Sequence, residues 1–288
     1  MTLMQTLRIM EDFEMNFIDS ALNVILNKMR LNTAGSHEHD DSCPSFSEIP
    51  LIDEGLPIDV TWTVATHPIP TLPVRDLFAA NAKLIRELCY ASSLSEEEVQ
   101  RFLLPVITNL AKMVHLVPAS ERHHHSYGGL FKHSLEVAYY AANEARMTIF
   151  DLNETSKQKY LNRRRWILTT ILAGLLHDTG KVFCQMEITA EDEVFWGLEE
   201  SLLTWIRRKQ IKQYYVSYCS GDNYASRNAS LIHINKLIPA DTYRFLRLTG
   251  IGVRLTNELC KAVMCRESGG LIGHILNNAD ELSQRQGQ

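Results

Sequence analysis

Along most of the chain, apolar positions recur every three or four residues, the spacing of helices that bury one face. Residues 2–30 show it plainly, with Leu7, Met10, Phe13, Phe17, Ile18, Leu22, Ile25, Leu26 and Met29 on one stripe. The pattern lapses from Asn32 to about Pro73, a stretch that holds most of the prolines and the polar run TAGSHEHDDSCPS, and reads as loop or linker with at most short strands. It resumes at Arg75 and predicts helices over 75–91, 95–116, 130–148, 160–177, 197–213, 228–237, 240–248, 252–265 and 269–283. Ser95 and Glu98 have the spacing of a capping box at the start of the second of these. Residues 214–219, YYVSYC, suit either strand or helix. The fold is therefore expected to be mainly α, a helical bundle with an N-terminal extension and room for a short hairpin. The expected division is an acidic N-terminal helix and linker over 1–70 and the main domain over 71–288.

Composition narrows this only slightly. A chain of 288 residues that is 45% hydrophobic can build a large core. No apolar run is expected to reach the roughly 18 residues of a membrane span, and acids stand near the N-terminus where a secretory signal carries bases, so the expected location is cytoplasmic. Six cysteines form no C-x-x-C pair and are expected to be reduced, mostly buried thiols. The net charge of −5 argues against coating nucleic acid by bulk charge, yet it is unevenly spread. Residues 1–100 hold 6 Lys/Arg against 16 Asp/Glu, and the remainder holds 23 against 18. Arg163, Arg164 and Arg165, and further on Arg207, Arg208 and Lys209, form clusters that suit either a phosphate-binding face or solvated helix surface. The run HEHDD at 37–41 sits in a polar segment without an apolar frame and reads as a solvated loop rather than a metal site.

Two stretches carry chemistry. In WILTTILAGLLHDTGKV, residues 166–182, an almost wholly apolar helix ends in His177-Asp178. An imidazole and a carboxylate buried together cost several kcal/mol unless they are hydrogen-bonded or share a cation. In RHHHSYGGLFKHS, residues 122–134, His123, His124 and His125 precede a glycine pair and then His133, which lies on a helix with an inward face of Leu130, Leu135, Val137, Ala138 and Ala141. Near the C-terminus Asp280 lies on another apolar face, with Leu271, Ile272, Ile275, Leu276 and Ala279. His133, His177, Asp178 and Asp280 would thus bring two imidazoles and two carboxylates from three helices, a donor set for one divalent ion such as Mn, Fe, Mg, Ni or Zn.

These residues resemble the HD superfamily of metal-dependent phosphohydrolases. VHLVPASERHHHSYGGLFKHSLEVA (114–138), LLHDTGK (175–181), WGLEESLLTWI (196–206), LIP (237–239) and NNADELS (277–283) are similar more narrowly to the relaxase domain of the MobH class, the TraI-like proteins of conjugative plasmids and integrative elements. The resemblance runs from about residue 70 to the C-terminus. It implies an enzyme that nicks and rejoins one strand of plasmid DNA at the transfer origin, with relaxosome accessory proteins and a coupling protein as partners. Carried over, His133, His177, Asp178 and Asp280 hold one metal ion, and Lys181 faces the phosphate. His123, His124 and His125 stand at the mouth of the site, and Tyr127 is the best-placed candidate for covalent attack. Arg122 and the two basic clusters become candidate DNA contacts. The N-terminal helix offers a face for a homodimer.

The sequence departs from that class in two places. Where a histidine is expected before LIP, Arg227 and Asn228 stand instead, and the nearby His233 reads as a packed or surface residue, so a second metal site is not expected. Proteins of the class also continue well beyond this domain, which makes the sequence a candidate fragment of a longer chain. Two other functions fit the same residues: a general HD phosphohydrolase acting on nucleotides, and a non-catalytic DNA-binding component in which the metal is structural.

Overall fold

The computed structural model describes residues 41–58, 67–191, 196–197, 199–219, 223–248, 250–264 and 269–287. The amphipathic stretch 2–30, its expected dimer face, and residues 37–40 of the acidic run lie outside the described residues. Asp41, the last of that run, pairs with Arg207 at 2.9 Å. Described elements are β1 (Ile69–Pro70), α1 (Val74–Ala80), α2 (Ala82–Ala91), α3 (Leu104–Val114), α4 (Gly129–Met147), α5 (Ser156–Leu176), α6 (Lys181–Cys184), β2 (Met186–Ala190), α7 (Leu202–Lys209), β3 (Gln213–Tyr218), α8 (Asn223–Leu237), α9 (Ala240–Arg247), α10 (Gly252–Met264) and α11 (Gly270–Gln286). The protein is mainly α. Residues 214–218 are strand, and the three strands form one antiparallel sheet in the order β1-β3-β2, with Ile69 opposite Tyr214 and Ile188 opposite Val216.

Where the helices differ from their expected spans, local chemistry explains it. The stretch 75–91 breaks at Asn81, whose side-chain amide donates to Leu77 O at 2.9 Å and competes with the helix. The stretch 95–116 opens on the expected capping box, with Ser95 N to Glu98 Oε2 at 2.9 Å and Glu98 N to Ser95 Oγ at 3.3 Å. It then widens to a π-helix over Val99–Leu103, because Pro105 has no N–H for the carbonyl four residues back. In 197–213 the helix starts only where Ser201 accepts from Thr204 N at 3.2 Å, and it stops at Gln210, whose φ is +56°.

The pair α4 and α5 forms the centre, with α2 and α11 packed on α4 and α10 on α5. The two helices touch at Gly174, where a Cβ would lie 2.6 Å from Ala138 Cα. Only glycine admits that approach, and it brings the start of α4 beside the end of α5. Ser156–Cys184 is long and apolar enough to cross a membrane by length and mean hydropathy (1.2), unlike the sequence reading, but 83% of its apolar window is buried inside the fold. It is the core helix of the bundle, and its hydropathy reflects burial on all sides. The expected inward faces hold, except that Leu271 is 42% exposed. Among the described cysteines only Cys89 is buried; Cys43, Cys184 and Cys260 are half-buried, Cys219 is exposed, and all are free thiols.

His115 ends α3 with φ +43° and is fully buried, its ring between Tyr214 Oη (2.9 Å from Nδ1) and the Leu72 carbonyl (3.0 Å from Nε2). Burial lowers its pKa to about 4, only partly offset by the hydrogen bond to Leu72. The unfolded chain therefore binds this proton between pH 6.5 and 4 and the folded chain does not, so stability is complete above pH 6.5 and falls as the pH is lowered to 4. The expected loss is of order 3 kcal/mol, and His115→Gln is expected to make the decline shallower when denaturant midpoints are followed against pH. Gly174→Ala is expected to cost about 1–3 kcal/mol, read in the same titration, because the methyl meets backbone rather than a movable side chain.

Candidate metal centre

The touching ends of α4 and α5 present the histidines. His133, one turn into α4, is fully buried, and His177 follows the last residue of α5. The chain then turns sharply through Asp178-Thr179-Gly180. Thr179 Oγ1 donates to Leu176 O at 2.9 Å, and Gly180 N donates to Ser230 Oγ of α8 at 2.7 Å. Asp280 arrives from α11. The four residues converge: His133 Nε2 lies 3.4 Å from Asp178 Oδ2 and 3.2 Å from Asp280 Oδ1, and His177 Nε2 lies 3.4 and 3.8 Å from the same two oxygens. Lys181 adds a cation, Nζ to Asp178 Oδ2 at 2.6 Å.

Hydrogen bonds on the far side of each ring decide what this cluster can do. His177 Nδ1 donates to Gly174 O at 2.7 Å, which makes Nε2 the acceptor nitrogen of the ring. On the other ring, Ser283 Oγ donates to Glu136 Oε2 at 2.6 Å and so accepts from His133 Nδ1 at 2.9 Å. His133 Nε2 is then a bare lone pair; it is buried and makes no well-formed hydrogen bond. Two imidazole lone pairs and two carboxylates therefore face one another at 3.2–3.8 Å, an arrangement of acceptors that needs a shared cation. Burial opposes ionisation of Asp178, but its charged surroundings, the Lys181 ammonium among them, outweigh it and hold the carboxyl well below the usual range. The ligand atoms of His133, His177 and Asp178 lie within 4.8 Å of one another, and this chemistry fits a divalent ion.

The triple histidine divides three ways. His124 is buried, with φ +48°; its Nε2 donates to Glu136 Oε2 at 2.9 Å, and its backbone N–H donates to Gly287 O at 3.0 Å. His123 is half-buried, Nδ1 to Nδ1 of His124 at 3.3 Å, and burial followed by the neighbouring His133 and Lys181 lowers its pKa to about 4. His125 is exposed and stays outside the cluster. Ligand atoms of His123, His124 and His133 also lie within 4.8 Å of one another, a second group of metal-ligating type that shares His133 with the first. The glycine pair has a clear purpose: Gly128 takes φ +72°, and a Cβ on Gly129 would sit 1.8 Å from His124 O.

Tyr127 is only 7% exposed and belongs to the core. Arg122 lines an open cleft together with Lys181. The two basic clusters do not join them. Arg163, Arg164 and Arg165 lie about 12–14 residues before His177 on α5, roughly 20 Å along the helix axis. They are engaged within the fold, Arg163 with Arg146 O, Arg164 with Glu98 and Arg165 with Phe245 O. Arg207 pairs with Asp41, Arg208 with Glu200, and Lys209 is exposed. His233 stacks on Phe183 with centroids 3.9 Å apart, the packed role expected of it.

Sequence reasoning assigned no role to Glu136 and Ser283. Glu136 accepts from both His124 and Ser283, which holds its carboxyl below the ordinary value against the effect of burial. The available signal was spacing: Glu136 stands three residues after His133 on a buried helix face, and Ser283 three after Asp280.

No curated protein matches the chain. Residues 69–288 match the family TraI_2, described as "Putative helicase". That match covers both histidine stretches, the His177-Asp178 turn and the α11 carboxylate, and on it the chain belongs to the TraI_2 family of TraI-like conjugation proteins.

Proposed function

We propose that the chain is a MobH-class relaxase domain of HD type, which nicks and rejoins one DNA strand at a transfer origin by metal-dependent phosphodiester chemistry. The observation that carries this reading is the buried cluster of His133, His177, Asp178 and Asp280, all presenting lone pairs to one point, with Lys181 beside it. Family membership supports action in conjugation. The helicase description finds no support in the phosphate-binding motif: the one Gly-Lys pair, Gly180-Lys181, follows Thr179 and precedes Val182, which does not fit G-x-x-x-x-G-K-[ST]. The same pair is part of the turn that holds the metal-type cluster.

His133, His177, Asp178 and Asp280 would hold the ion, which supplies Lewis-acid polarisation of the phosphate and a bound water of lowered pKa. The remaining work falls to the chain. Lys181, at the cleft side of Asp178, places a positive charge where a phosphodiester gains negative charge on attack. Glu136 fixes the protons: through Ser283 it keeps the proton of His133 on Nδ1, and directly it keeps that of His124 on Nε2. His124 Nδ1 is then an acceptor toward His123, so His123 donates from Nδ1 and keeps Nε2 bare. His123, kept neutral above about pH 4, is available as an acceptor beside His133 at neutral pH. The burial of Tyr127 weighs against its phenol as the attacking group. Accessory proteins, a coupling protein and cytoplasmic action belong to the same proposal.

Supercoiled origin plasmid incubated with the protein and Mn, Fe, Mg, Ni or Zn in turn is expected to be nicked with at least one of them; hydrolysis of small phosphodiesters with no nicking under any metal would replace the relaxase by a general phosphohydrolase. His177→Ala and Asp178→Asn are expected to lose bound metal by elemental analysis and to lower nicking at least 100-fold, on the order of one lost catalytic contact. Lys181→Ala is expected to lose about 100-fold in rate with metal retained. Glu136→Gln is expected to weaken metal affinity by about 10–100-fold, because the acceptor that orders three histidines is gone. Tyr127→Phe is expected to keep nicking activity, and a suicide oligonucleotide is expected to leave no adduct on Tyr127.

A further inference from the structure

Lys181 faces two ways. Its ammonium meets Asp178, and its side chain also lines a cleft of about 570 Å3 together with Ser120, Glu121, Arg122, Gln185, Tyr218 and Asn223. The volume is within the range of sites for small molecules and cofactors, about 300–1,000 Å3. Three segments build the walls: the loop before the triple histidine, α6 from Lys181 to the Gln185 that follows it, and the end of β3 with the start of α8. Besides the Glu121 carboxylate, their chemistry is of three kinds. Arg122 and Lys181 are cations suited to backbone phosphate. Tyr218, at the end of β3, is half-buried and offers an aromatic ring. Gln185 Nε2 donates to Asn223 Oδ1 at 3.0 Å, so the amide pair still has the Gln185 oxygen to accept and the Asn223 nitrogen to donate.

We infer that this cleft is a nucleotide subsite for single-stranded DNA, in which the base next to the reacting phosphate stacks on Tyr218, its edge meets Gln185 and Asn223, and Arg122 with Lys181 holds the backbone. The inference rests on the relaxase reading for the identity of the substrate and deepens it. A cation pair, an aromatic platform and an amide pair together are what a single strand offers contacts for: phosphate, base face and base edge. A duplex hides the base face, so it does not use such a cleft. Burial, with the nearby Glu121 adding to it, raises the Tyr218 phenol to about 12, and the ring stays neutral across the working range, as a stacking surface requires. Arg163, Arg164 and Arg165, the other candidate DNA face, are occupied by Arg146 O, Glu98 and Phe245 O and lie well along α5 from the metal cluster.

The test is fluorescence anisotropy with labelled eight-nucleotide dT and dA strands at low salt, using the chain as isolated. Tyr218→Leu is expected to weaken binding about tenfold, since one base–aromatic stack contributes about 1–3 kcal/mol. Tyr218→Phe, which keeps the ring, is expected to stay within about twofold. Gln185→Ala with Asn223→Ala is expected to change the ratio of dA to dT affinity. A strand carrying 5-iodouracil is expected to cross-link to Tyr218 under ultraviolet light, located by peptide mass spectrometry, and metal content and thermal midpoint of each variant are measured alongside. Wild-type affinity in Tyr218→Leu, adducts on Arg163–Arg165 peptides with none on Tyr218, or no binding of either strand by the parent protein would each overturn the subsite. Strand binding through Tyr218 with no origin nicking under any metal would overturn the relaxase reading and leave the subsite standing.

Discussion

Four buried acceptor atoms that face one another are the constraint around which the protein is arranged. His133 Nε2, His177 Nε2, Asp178 Oδ2 and Asp280 Oδ1 meet at 3.2–3.8 Å, and no proton lies between the rings and the carboxylates once each imidazole spends its N–H on the opposite side. Such a cluster is repulsive in a low-dielectric interior unless a cation is shared. The bundle keeps it in place by geometry that has little other purpose. Gly174 lets α4 and α5 touch, the Gly180 N–H and Ser230 tie the His177-Asp178 turn to α8, and α11 delivers its carboxylate from the other end of the chain.

The supporting shell is organised by one carboxylate. Glu136 accepts from Ser283 and His124, so a single negative charge sets the tautomers of His133 and His124 and, through His124, of His123. This links two groups of metal-ligating type that share His133. It also explains why the histidine run is folded inward rather than left as a solvated loop. The His124 N–H bond to Gly287 and the close seat of Gly129 against His124 O fix the run between the end of α11 and the start of α4.

The clefts and charges around this centre are unequal. Lys181 and Arg122 open onto a polar cleft beside the cluster, whereas the arginine run on α5 braces neighbouring elements at the far end of the same helix. Positive charge along a sequence therefore did not locate the cations that stand beside the cluster. Position relative to the turn after α5 did.

Much of the helical pattern and all four candidate ligands were legible from the order of residues. Burying one face of a helix imposes a 3.6-residue period on the sequence, and a His or Asp placed on that face declares itself as a polar group in an apolar stripe. The capping box at Ser95 and Glu98 was legible for the same local reason. What depended on tertiary structure were the features with no local period. The strand fate of 214–218 follows from pairing with β1 and β2. Among the histidines of the run, His124 turns inward and His125 outward because Glu136 of the next helix and Gly287 from the far end of the chain come to meet one of them. A local pattern records which face is buried; which distant groups share that burial is decided only when the helices pack.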